Sequence, residues 1–187
     1  MAEGYDLPKG ELMRGKTGVV MGVANDKSIA WGIASQLAAQ GAELAFTYLG
    51  ESLERRVRPL AESVGAKLLI QADVTDDASV AAAFDKARAA HGQERLTVNC
   101  AGIATGQKTV SRKKDTGEIR AHDMAAFERT VRVNLFGTFR VLSQSAAGMV
   151  TLEPMADGER GLIVNTASVA AQDGQIGQAA YSASKGG

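Results

Sequence analysis

Residues 17–28, Thr-Gly-Val-Val-Met-Gly-Val-Ala-Asn-Asp-Lys-Ser, decide the fold of this chain. Residues 17–21 predict a short buried strand, and a turn that begins with Gly22 follows it. Apolar residues then recur at every fourth position, which is typical of a helix; they are Ile29, Ile33 and Leu37. A strand, a glycine-bearing turn and a helix in this order form a cradle for phosphate, because the N–H groups at a helix N-terminus attract an anion.

Two interpretations of this turn are open, since glycine also serves as plain punctuation between a strand and a helix. The turn departs from the G-x-G-x-x-G pattern of many dinucleotide-binding proteins. Gly22 would let the backbone approach a ligand, and Ser28 would act as the helix N-cap, as a phosphate ligand, or as both. Gly41 is placed to end the helix.

The alternation of strands and helices continues outward from this unit. Further strands are predicted at 43–48, 67–72, 96–99 and 161–166, and further helices at 51–64, 77–91, from Asp123 to about Val150, and from about Gln178 onward. This alternation indicates an α/β fold of the Rossmann type, with a doubly wound parallel sheet of about five strands and right-handed crossovers.

The composition is that of one ordinary globular domain spanning residues 1–187, with 45% hydrophobic and 22% charged residues. Lys+Arg and Asp+Glu are both 21, so we expect no nucleic-acid partner. A single cysteine, Cys100, excludes an internal disulfide, and two distant histidines predict no metal site. We expect a cytoplasmic protein, because the sequence has neither a signal peptide nor a run of eighteen apolar residues that would cross a membrane.

The long helix after Asp123 would measure about 40 Å at ~1.5 Å per residue, enough to cross the sheet and offer a face to a second subunit. Its predicted apolar stripe consists of Phe127, Val131, Leu135, Phe139 and Leu142. Asn134 lies in the middle of this helix and is a poor helix former.

A tyrosine and a lysine stand four residues apart near the end of the chain, at Tyr181 and Lys185. This spacing places both on one helix face, where the ammonium favours the phenolate and so equips the tyrosine to pass a proton. Ser168 follows the fifth predicted strand, at the sheet edge where ligands bind in such folds. A lone pair of this kind is also typical of a solvated helix start, and its meaning depends on the neighbouring motifs.

The first part of the chain resembles bacterial enoyl-acyl-carrier-protein reductases of the short-chain dehydrogenase/reductase superfamily. The resemblance rests on residues 22–32 and 41–48, with weaker matches at 1–7 and 12–16. It implies that the loop from Gly22 through Ser28 to Ile29 wraps the diphosphate of NAD or NADP. Leu49 stands where a polar residue commonly lies near the adenosine ribose, so this position leaves the choice between NAD and NADP open. Two arginines, Arg55 and Arg56, would suit a 2′-phosphate or simply a solvated helix face.

Two further motifs match the same superfamily on the adenosine side of the cofactor. The pair Asp73-Val74 would hold the adenine ring, with the Asp73 carboxylate accepting from the adenine amino group; alternatively, Asp73 caps the next helix, a role for which Thr75 and Asp76 compete. The turn Asn99-Cys100-Ala101-Gly102 would border the adenosine. We expect Cys100 to pack there as a small apolar residue.

Residues 99–187 resemble the type II 3-hydroxyacyl-CoA dehydrogenases of the same superfamily. The match includes an insertion at 104–122, the segment 131–139, residues 161–171 and residues 177–181. The two resemblances meet between about Asp73 and Val98, where residues 93–97 are irregular, and we infer a hybrid chain. The basic insertion 108–117 has two interpretations: a solvated surface loop, or a set of cations that meet the phosphates of coenzyme A.

This second resemblance assigns roles to the site residues. Tyr181 would exchange a proton with the substrate oxygen, Ser168 would hydrogen-bond that oxygen, and Lys185 would assist the tyrosine and hold the nicotinamide ribose. Asn134 would disturb the long helix and hold a water in the proton path. Gln175 would touch the acyl carbonyl. The implied cofactor is NAD, with NADP not excluded, and the implied substrate is an acyl thioester of CoA or acyl carrier protein; family members form homotetramers or dimers.

Family members would continue beyond Gly187 with the rest of the last helix, a sixth and a seventh strand and a lid over the substrate, so the resemblance implies a domain incomplete at its C-terminus. Three functions are therefore open: a dehydrogenase that interconverts 3-hydroxyacyl and 3-ketoacyl thioesters, an enoyl-acyl-carrier-protein reductase, and an inactive dinucleotide-binding module. Enoyl reductases use two tyrosines and a lysine at a longer spacing than Tyr181 and Lys185, which favours the first function.

Overall fold

A five-stranded parallel sheet forms the centre of the computed structural model, which describes residues 8–187. The strands, in chain order, are β1 Thr17–Met21, β2 Glu43–Tyr48, β3 Leu68–Gln71, β4 Leu96–Asn99, β5 Val110–Arg112, β6 Ile119–Ala121 and β7 Leu162–Asn165. The main sheet has the order β3-β2-β1-β4-β7, and all its neighbours are parallel. The predicted doubly wound sheet is confirmed; the matches at residues 1–7 lie outside the described residues.

Helices cover both faces of this sheet. They are α1 Ile29–Ala39, α2 Glu51–Ser63, α3 Asp77–His91, α4 Met124–Val131, α5 Gly137–Met149 and α6 Ala179–Gly186. Alternate residues of β1 feed two cores: Val20 packs with α1 and α2, and Val19 packs with α3 and α5. Each core holds one fully buried phenylalanine, Phe46 and Phe84 respectively. This alternation is what a strand covered on both faces requires.

Local hydrogen bonds fix the helix ends that position the site. Gly41 has φ +92°, and the Gly41 and Ala42 N–H groups donate to the Ala38 and Leu37 carbonyls in a Schellman cap. The Asp76 carboxylate accepts from the Ala78 and Ser79 N–H groups and so caps α3. Asp123 caps α4 in the same way, as predicted. These caps set where each helix leaves the sheet edge.

The long helix after Asp123 contains a π-turn at Arg132–Phe136, between α4 and α5. The Gly137 N–H donates to the Arg132 carbonyl, five residues back. The expected disturbance at Asn134 is thus present. The predicted apolar stripe, however, is not the buried face, since Phe139 is 64% exposed. Small and polar residues pack inward instead: Thr130, Asn134, Gly137, Val141, Ser145 and Gly148.

The basic insertion is not a plain loop, because β5 and β6 form an antiparallel hairpin within it. Its cations are partly neutralised: Glu118 pairs with Lys113 at 3.2 Å and with Arg120 at 3.1 Å. The Arg120 hydrogen bond, with help from Lys113, lowers the pKa of Glu118 below its ordinary value. The hairpin remains exposed to solvent, which fits a charged surface element.

Glu94, in the segment 93–97 that is irregular in sequence, forms an ion pair with Arg88. Glu94 is completely buried and accepts from Arg88 Nε at 2.9 Å and from Arg88 Nη2 at 2.8 Å. Arg88 also donates to the Gln144 carbonyl and lies over the Phe84 ring at 5.0 Å. The Glu94 hydrogen bond raises the pKa of Arg88. The irregular segment therefore ties α3 to β4 and α5.

Candidate active site

The turn after β1 approaches the turn after β4 closely. Gly22 has φ +96°, and a Cβ atom there would lie 2.3 Å from the Cys100 carbonyl carbon and 2.4 Å from the Ala101 nitrogen. No side chain fits at this position. Both segments thus meet beside β1, where the strand order reverses and where ligands bind in open α/β sheets.

Ser28 stands at the N-cap position of α1 but does not make the side-chain cap bond. Its hydroxyl turns back into the loop instead, donating to the Asn25 carbonyl at 2.5 Å and accepting from the Ala24 N–H at 3.3 Å. Ile29, the first residue of α1, is 64% exposed. Ser28 therefore shapes the loop and leaves the N-terminal N–H groups of α1 without a side-chain cap.

A pocket of about 190 Å³ lies beside this loop, at the carboxyl ends of the strands. Val133, which was not predicted, forms part of its wall. Five of the predicted cofactor residues also line it: Gly22, Leu49, Val74, Ala101 and Gly102. Among the described residues, those that line it carry no charge. Tyr48 also lines it, and burial, reinforced by the nearby Glu54 carboxylate, raises the pKa of Tyr48. The pocket is thus uncharged and mostly apolar.

Asp73 lies just outside this pocket, in an adjoining groove of about 350 Å³ that Leu49, Arg129 and Arg132 also line. Its Oδ1 atom accepts from the N–H and the hydroxyl of Thr75, both at 2.8 Å. Because Asp76 caps α3, the alternative that Asp73 is the cap is wrong.

The arginines of α2 belong to a solvated face. Arg55 Nη2 lies 4.0 Å from Glu51 with its side chain 79% exposed, and it lines a groove along α2 with Glu54 and Arg58. Neither Arg55 nor Arg56 is among the described residues that line the apolar pocket. The solvated interpretation is therefore the one that the structure supports.

The turn after β4 contributes backbone and small residues. Asn99 is 2% exposed, and its side-chain amide donates to the Thr138 carbonyl at 3.0 Å, so its side chain is committed to α5. Cys100 packs against the α1 core, as expected, and its sulfur accepts from the Thr166 hydroxyl at 2.9 Å. Ala101 and Gly102 are the members of this turn that reach the pocket.

Lys185 and Tyr181 lie where α6 meets the carboxyl end of β7. Lys185 Nζ donates to the Thr166 carbonyl at 2.7 Å and lies 6.0 Å from the centre of the Tyr181 ring. The ammonium is therefore fixed to the sheet edge while it stays beside the tyrosine. This is the arrangement that the four-residue spacing predicted.

Ser168 begins the short 3-10 turn Val169–Ala171, against which α6 packs. The Ser168 hydroxyl accepts from the Ala170 N–H at 3.2 Å. Ser168 and Tyr181 thus lie on two elements that contact each other at one edge of the sheet.

Asn134 is 2% exposed and is held from three directions. Its Oδ1 atom accepts from the Ile103 N–H at 2.8 Å, and its amide donates to the Ile103 carbonyl at 2.8 Å and to the Ser184 hydroxyl at 3.0 Å. Ser184 in turn donates to the Tyr181 carbonyl at 2.8 Å. Asn134 therefore joins the turn after β4 to the helix that carries the tyrosine.

Asn134, Thr166, Ser184 and Lys185 line one cavity of about 230 Å³. Gln175 lies elsewhere, in a groove of about 420 Å³ between the base of the β5–β6 hairpin and the start of α6. Among the described residues, this groove is lined by Ser182 but by neither Ser168 nor Tyr181. The structure therefore brings Asn134 and Lys185 together and places Gln175 apart from them.

Sequence reasoning missed three residues that organise this site: Ser184, Thr166 and Ile103. Ser184 lies three residues after Tyr181, so its position on the same helix face was a usable signal. Thr166 and Ile103 act through their backbone groups, and no side-chain pattern marks such a role.

The described part of the chain shows neither a cluster of metal-binding side chains nor a helix that could span a membrane. Residues 8–187 contain no group of three or more His, Cys, Asp or Glu side chains arranged for a metal ion. None of the helices within that range is long and apolar enough to traverse a bilayer.

The fold and the site together define a doubly wound α/β scaffold of the kind that binds ligands at the carboxyl ends of its strands, with a tyrosine and a lysine at that sheet edge. A family model described as enoyl-(acyl carrier protein) reductase matches residues 22–187. The chain belongs to this family, which is part of the short-chain dehydrogenases/reductases.

Relatives from both predicted lineages match. The 3-hydroxyacyl-CoA dehydrogenase type-2 of Drosophila melanogaster is 47% identical over 153 residues, which cover 81% of this chain and 57% of that protein. An NADH enoyl-[acyl-carrier-protein] reductase of Rhizobium meliloti is 41% identical over 140 residues, covering 75% of this chain and 50% of that protein. Similarity to both families is confirmed. The inferred hybrid stays a prediction, because the 3-hydroxyacyl-CoA dehydrogenase type-2 of Bos taurus matches 94% of this chain, across the region where the two resemblances were expected to meet. The chain spans about half the length of the first two relatives.

A solved structure is also similar to this chain. An enoyl-(acyl-carrier-protein) reductase from Anaplasma phagocytophilum, in complex with NAD, superposes with a TM-score of 0.79 at 31% identity. The superposition covers 97% of this chain and 64% of that one.

Proposed function

We propose that this protein is an NAD-dependent oxidoreductase that interconverts 3-ketoacyl and 3-hydroxyacyl thioesters. The observation that carries the proposal is the Lys185 ammonium, fixed on the Thr166 carbonyl beside Tyr181 and sharing a cavity with Asn134. These groups can supply a proton and stabilise the charge that develops on oxygen, which carbonyl reduction needs in addition to a hydride.

The residues present fit a dinucleotide. Gly22 lets the loop after β1 pack directly against the turn after β4, and α1 offers N-terminal N–H groups for a diphosphate. The apolar pocket between Leu49, Val74 and Val133 suits an adenine ring, and Asp73 lies beside it as an acceptor. When bound, the nicotinamide supplies the hydride that the reaction needs.

The chain's own residues then handle the proton. In the reducing direction, Tyr181 gives its phenolic proton to the C3 oxygen of the substrate, and the Ser168 hydroxyl donates a hydrogen bond to the same oxygen. The Lys185 ammonium stabilises the phenolate that remains. Asn134 holds Ile103, directly after the turn that follows β4, and, through Ser184, the helix that carries Tyr181.

NAD is the proposed cofactor. The described residues that line the apolar pocket carry no charge, whereas Arg129 and Arg132 line the adjoining groove together with Leu49 and Asp73, where a 2′-phosphate would find a cation. Arg55 lies on the groove along α2. Relatives from Rhizobium meliloti carry NADH in their names, which agrees with this choice.

A second candidate is an enoyl-thioester reductase, which the family model and the cofactor loop favour. One assay separates the candidates: NADH oxidation by the 187-residue chain, followed with acetoacetyl-CoA and with crotonyl-CoA. We expect oxidation with the ketone and none with the enoyl thioester. Oxidation only with crotonyl-CoA would reverse the order of the candidates, and NADH binding without turnover would leave a dinucleotide-binding module.

Coenzyme A is the proposed carrier, because Lys108 flanks the groove that contains Gln175. A cation at the mouth of this groove would meet the phosphates of the carrier. The oligomeric state and the cytoplasmic location stay predictions.

Lys108→Gln should raise the KM for acetoacetyl-CoA by about threefold to tenfold, since one exposed ion pair is worth about 1 kcal/mol. The KM for a phosphate-free acetoacetyl thioester of N-acetylcysteamine should stay unchanged. Lys9→Gln, far along the chain, is the control. An equal rise for both thioesters would refute a role in phosphate recognition.

A further inference from the structure

Val74 forms a wall of the apolar pocket, and α5 supports it from behind. Val74 lines the pocket together with Leu49 and Val133. On its other side it meets Gly137, the first residue of α5. Arg140, one turn later, pairs with Asp77 and directs Nη1 toward the Val74 carbonyl at 3.4 Å.

Gly137 is buried, and the space above it is already filled. A Cβ atom at this position would lie 2.8 Å from Val74 Cγ2, 3.0 Å from Val74 Cβ and 3.3 Å from the Val74 oxygen. Valine is branched at Cβ and has few rotamers, so Val74 could yield only by moving its backbone. That movement would displace the wall of the pocket.

Glycine in a helix interior is itself unfavourable relative to alanine. The π-turn at Arg132–Phe136 immediately precedes Gly137 and ends with its N–H on the Arg132 carbonyl. The π-turn holds Asn134, and the glycine that follows it, in ordinary helical conformation, is the residue that meets Val74.

We propose that Gly137 is a positioning residue for the adenosine end of the dinucleotide: the absence of a side chain there sets the place of Val74 and hence the affinity for adenosine. This inference rests on the proposed dinucleotide site. The long helix would then position Val74 as well as Asn134.

The test is Gly137→Ala, with Gly32→Ala as a matched control, because Gly32 is also helical and a Cβ atom there meets nothing within 4 Å. Because the added Cβ atom would displace Val74 from the pocket wall, the dissociation constants of NADH and of AMP should both rise, by the same factor of about tenfold. The dissociation constant of nicotinamide mononucleotide should not change. A merely structural defect would lower the melting temperature without this selective loss.

A second pair of variants keeps the test valid if Gly137→Ala fails to fold. In a Val74→Ala background the Cγ2 atom is gone, so adding Gly137→Ala should weaken AMP binding by less than about threefold. Undiminished AMP binding by Gly137→Ala alone, or a loss of tenfold in the Val74→Ala background, would overturn the inference. Failure of the wild-type chain to bind either NADH or AMP would instead refute the dinucleotide site as a whole.

Discussion

Gly22 is the residue at which the cofactor loop and the turn after β4 touch. Its φ of +96° is open to glycine and disfavoured for other residues, and its missing side chain allows backbone contact with Cys100 and Ala101. Both conditions act together, so strain and steric overlap would add in any substitution. The cradle therefore depends on this position more than on Ser28, whose hydroxyl only braces the loop.

Gly22→Ala should abolish measurable NADH binding and destabilise the fold by more than about 1 kcal/mol, because the new methyl group would overlap the Cys100 carbonyl carbon. Titration of NADH fluorescence and thermal unfolding check this. Gly106→Ala serves as the control, since Gly106 is in a loop and a Cβ atom there meets nothing within 4 Å. Wild-type affinity in Gly22→Ala would show that the loop does not contact the nucleotide.

At the scale of single residues, the sequence predicted which side chains lie together, but it did not predict which backbone groups bind them. The spacing of Tyr181 and Lys185 sufficed to place them on one helix face, because helical geometry fixes such pairs. The Thr166 carbonyl that holds Lys185 carries no side-chain signal. Asn99 illustrates the same limit: its residue type fits a ligand contact, yet its amide serves α5.

Elements were predictable where hydrophobic periodicity dominates. β1, β2, β4 and α3 have the predicted bounds. The long helix differs, because its inner face consists mostly of small and polar residues that allow close approach, while Phe136 and Phe139 are exposed. The β5–β6 hairpin has only short strands in a basic segment, so no alternation marked it.

The buried ion pair between Arg88 and Glu94 gives a prediction at the scale of elements. Arg88→Met should lower the free energy of unfolding by about 3–5 kcal/mol, because it leaves a charge uncompensated at a position with no solvent exposure. Urea unfolding measures this. Glu94 precedes β4, whereas the proposed cofactor site lies at the carboxyl ends of the strands. The NADH affinity of the folded protein should therefore not change.

The double variant Arg88→Met with Glu94→Met is the matched control. Since both charges are then absent, it should recover most of the lost stability. If the double variant is as unstable as the single one, packing around Phe84, and not the charge on Glu94, is the source of the effect.

For the molecule as a whole, the exposed edge of the sheet is the feature with the clearest consequence. Within residues 8–187, β7 pairs with β4 on one side only. Leu162 on this strand is 52% exposed, and Phe136 and Phe139 nearby in the fold are 53% and 64% exposed. Unpaired edges with apolar side chains promote association between chains.

The 187-residue chain should therefore self-associate as its concentration rises, and Leu162→Lys should increase the monomer fraction severalfold, since a charge on an edge strand opposes pairing. Sedimentation velocity provides the measurement. Leu12→Lys changes an equally apolar residue that is 78% exposed outside the sheet, and it should have no effect. Equal behaviour of the two variants would place the association elsewhere.

Recognition of the whole chain came from local motifs, and the comparisons confirmed both lineages. Residues 93–97 could not be interpreted from sequence, because the Arg88–Glu94 pair depends on a contact between α3 and the segment before β4. Long-range polar contacts of this kind leave no periodic signature.

The measurement that tests the central claim most directly is the rate of NADH oxidation with acetoacetyl-CoA, compared between the wild-type chain and Tyr181→Phe. Removal of a general acid costs about 10²–10⁴-fold in rate, so the variant should lose at least about 10²-fold in kcat while it binds NADH with unchanged affinity. Turnover by Tyr181→Phe at the wild-type rate would contradict the assignment of Tyr181 as the proton donor.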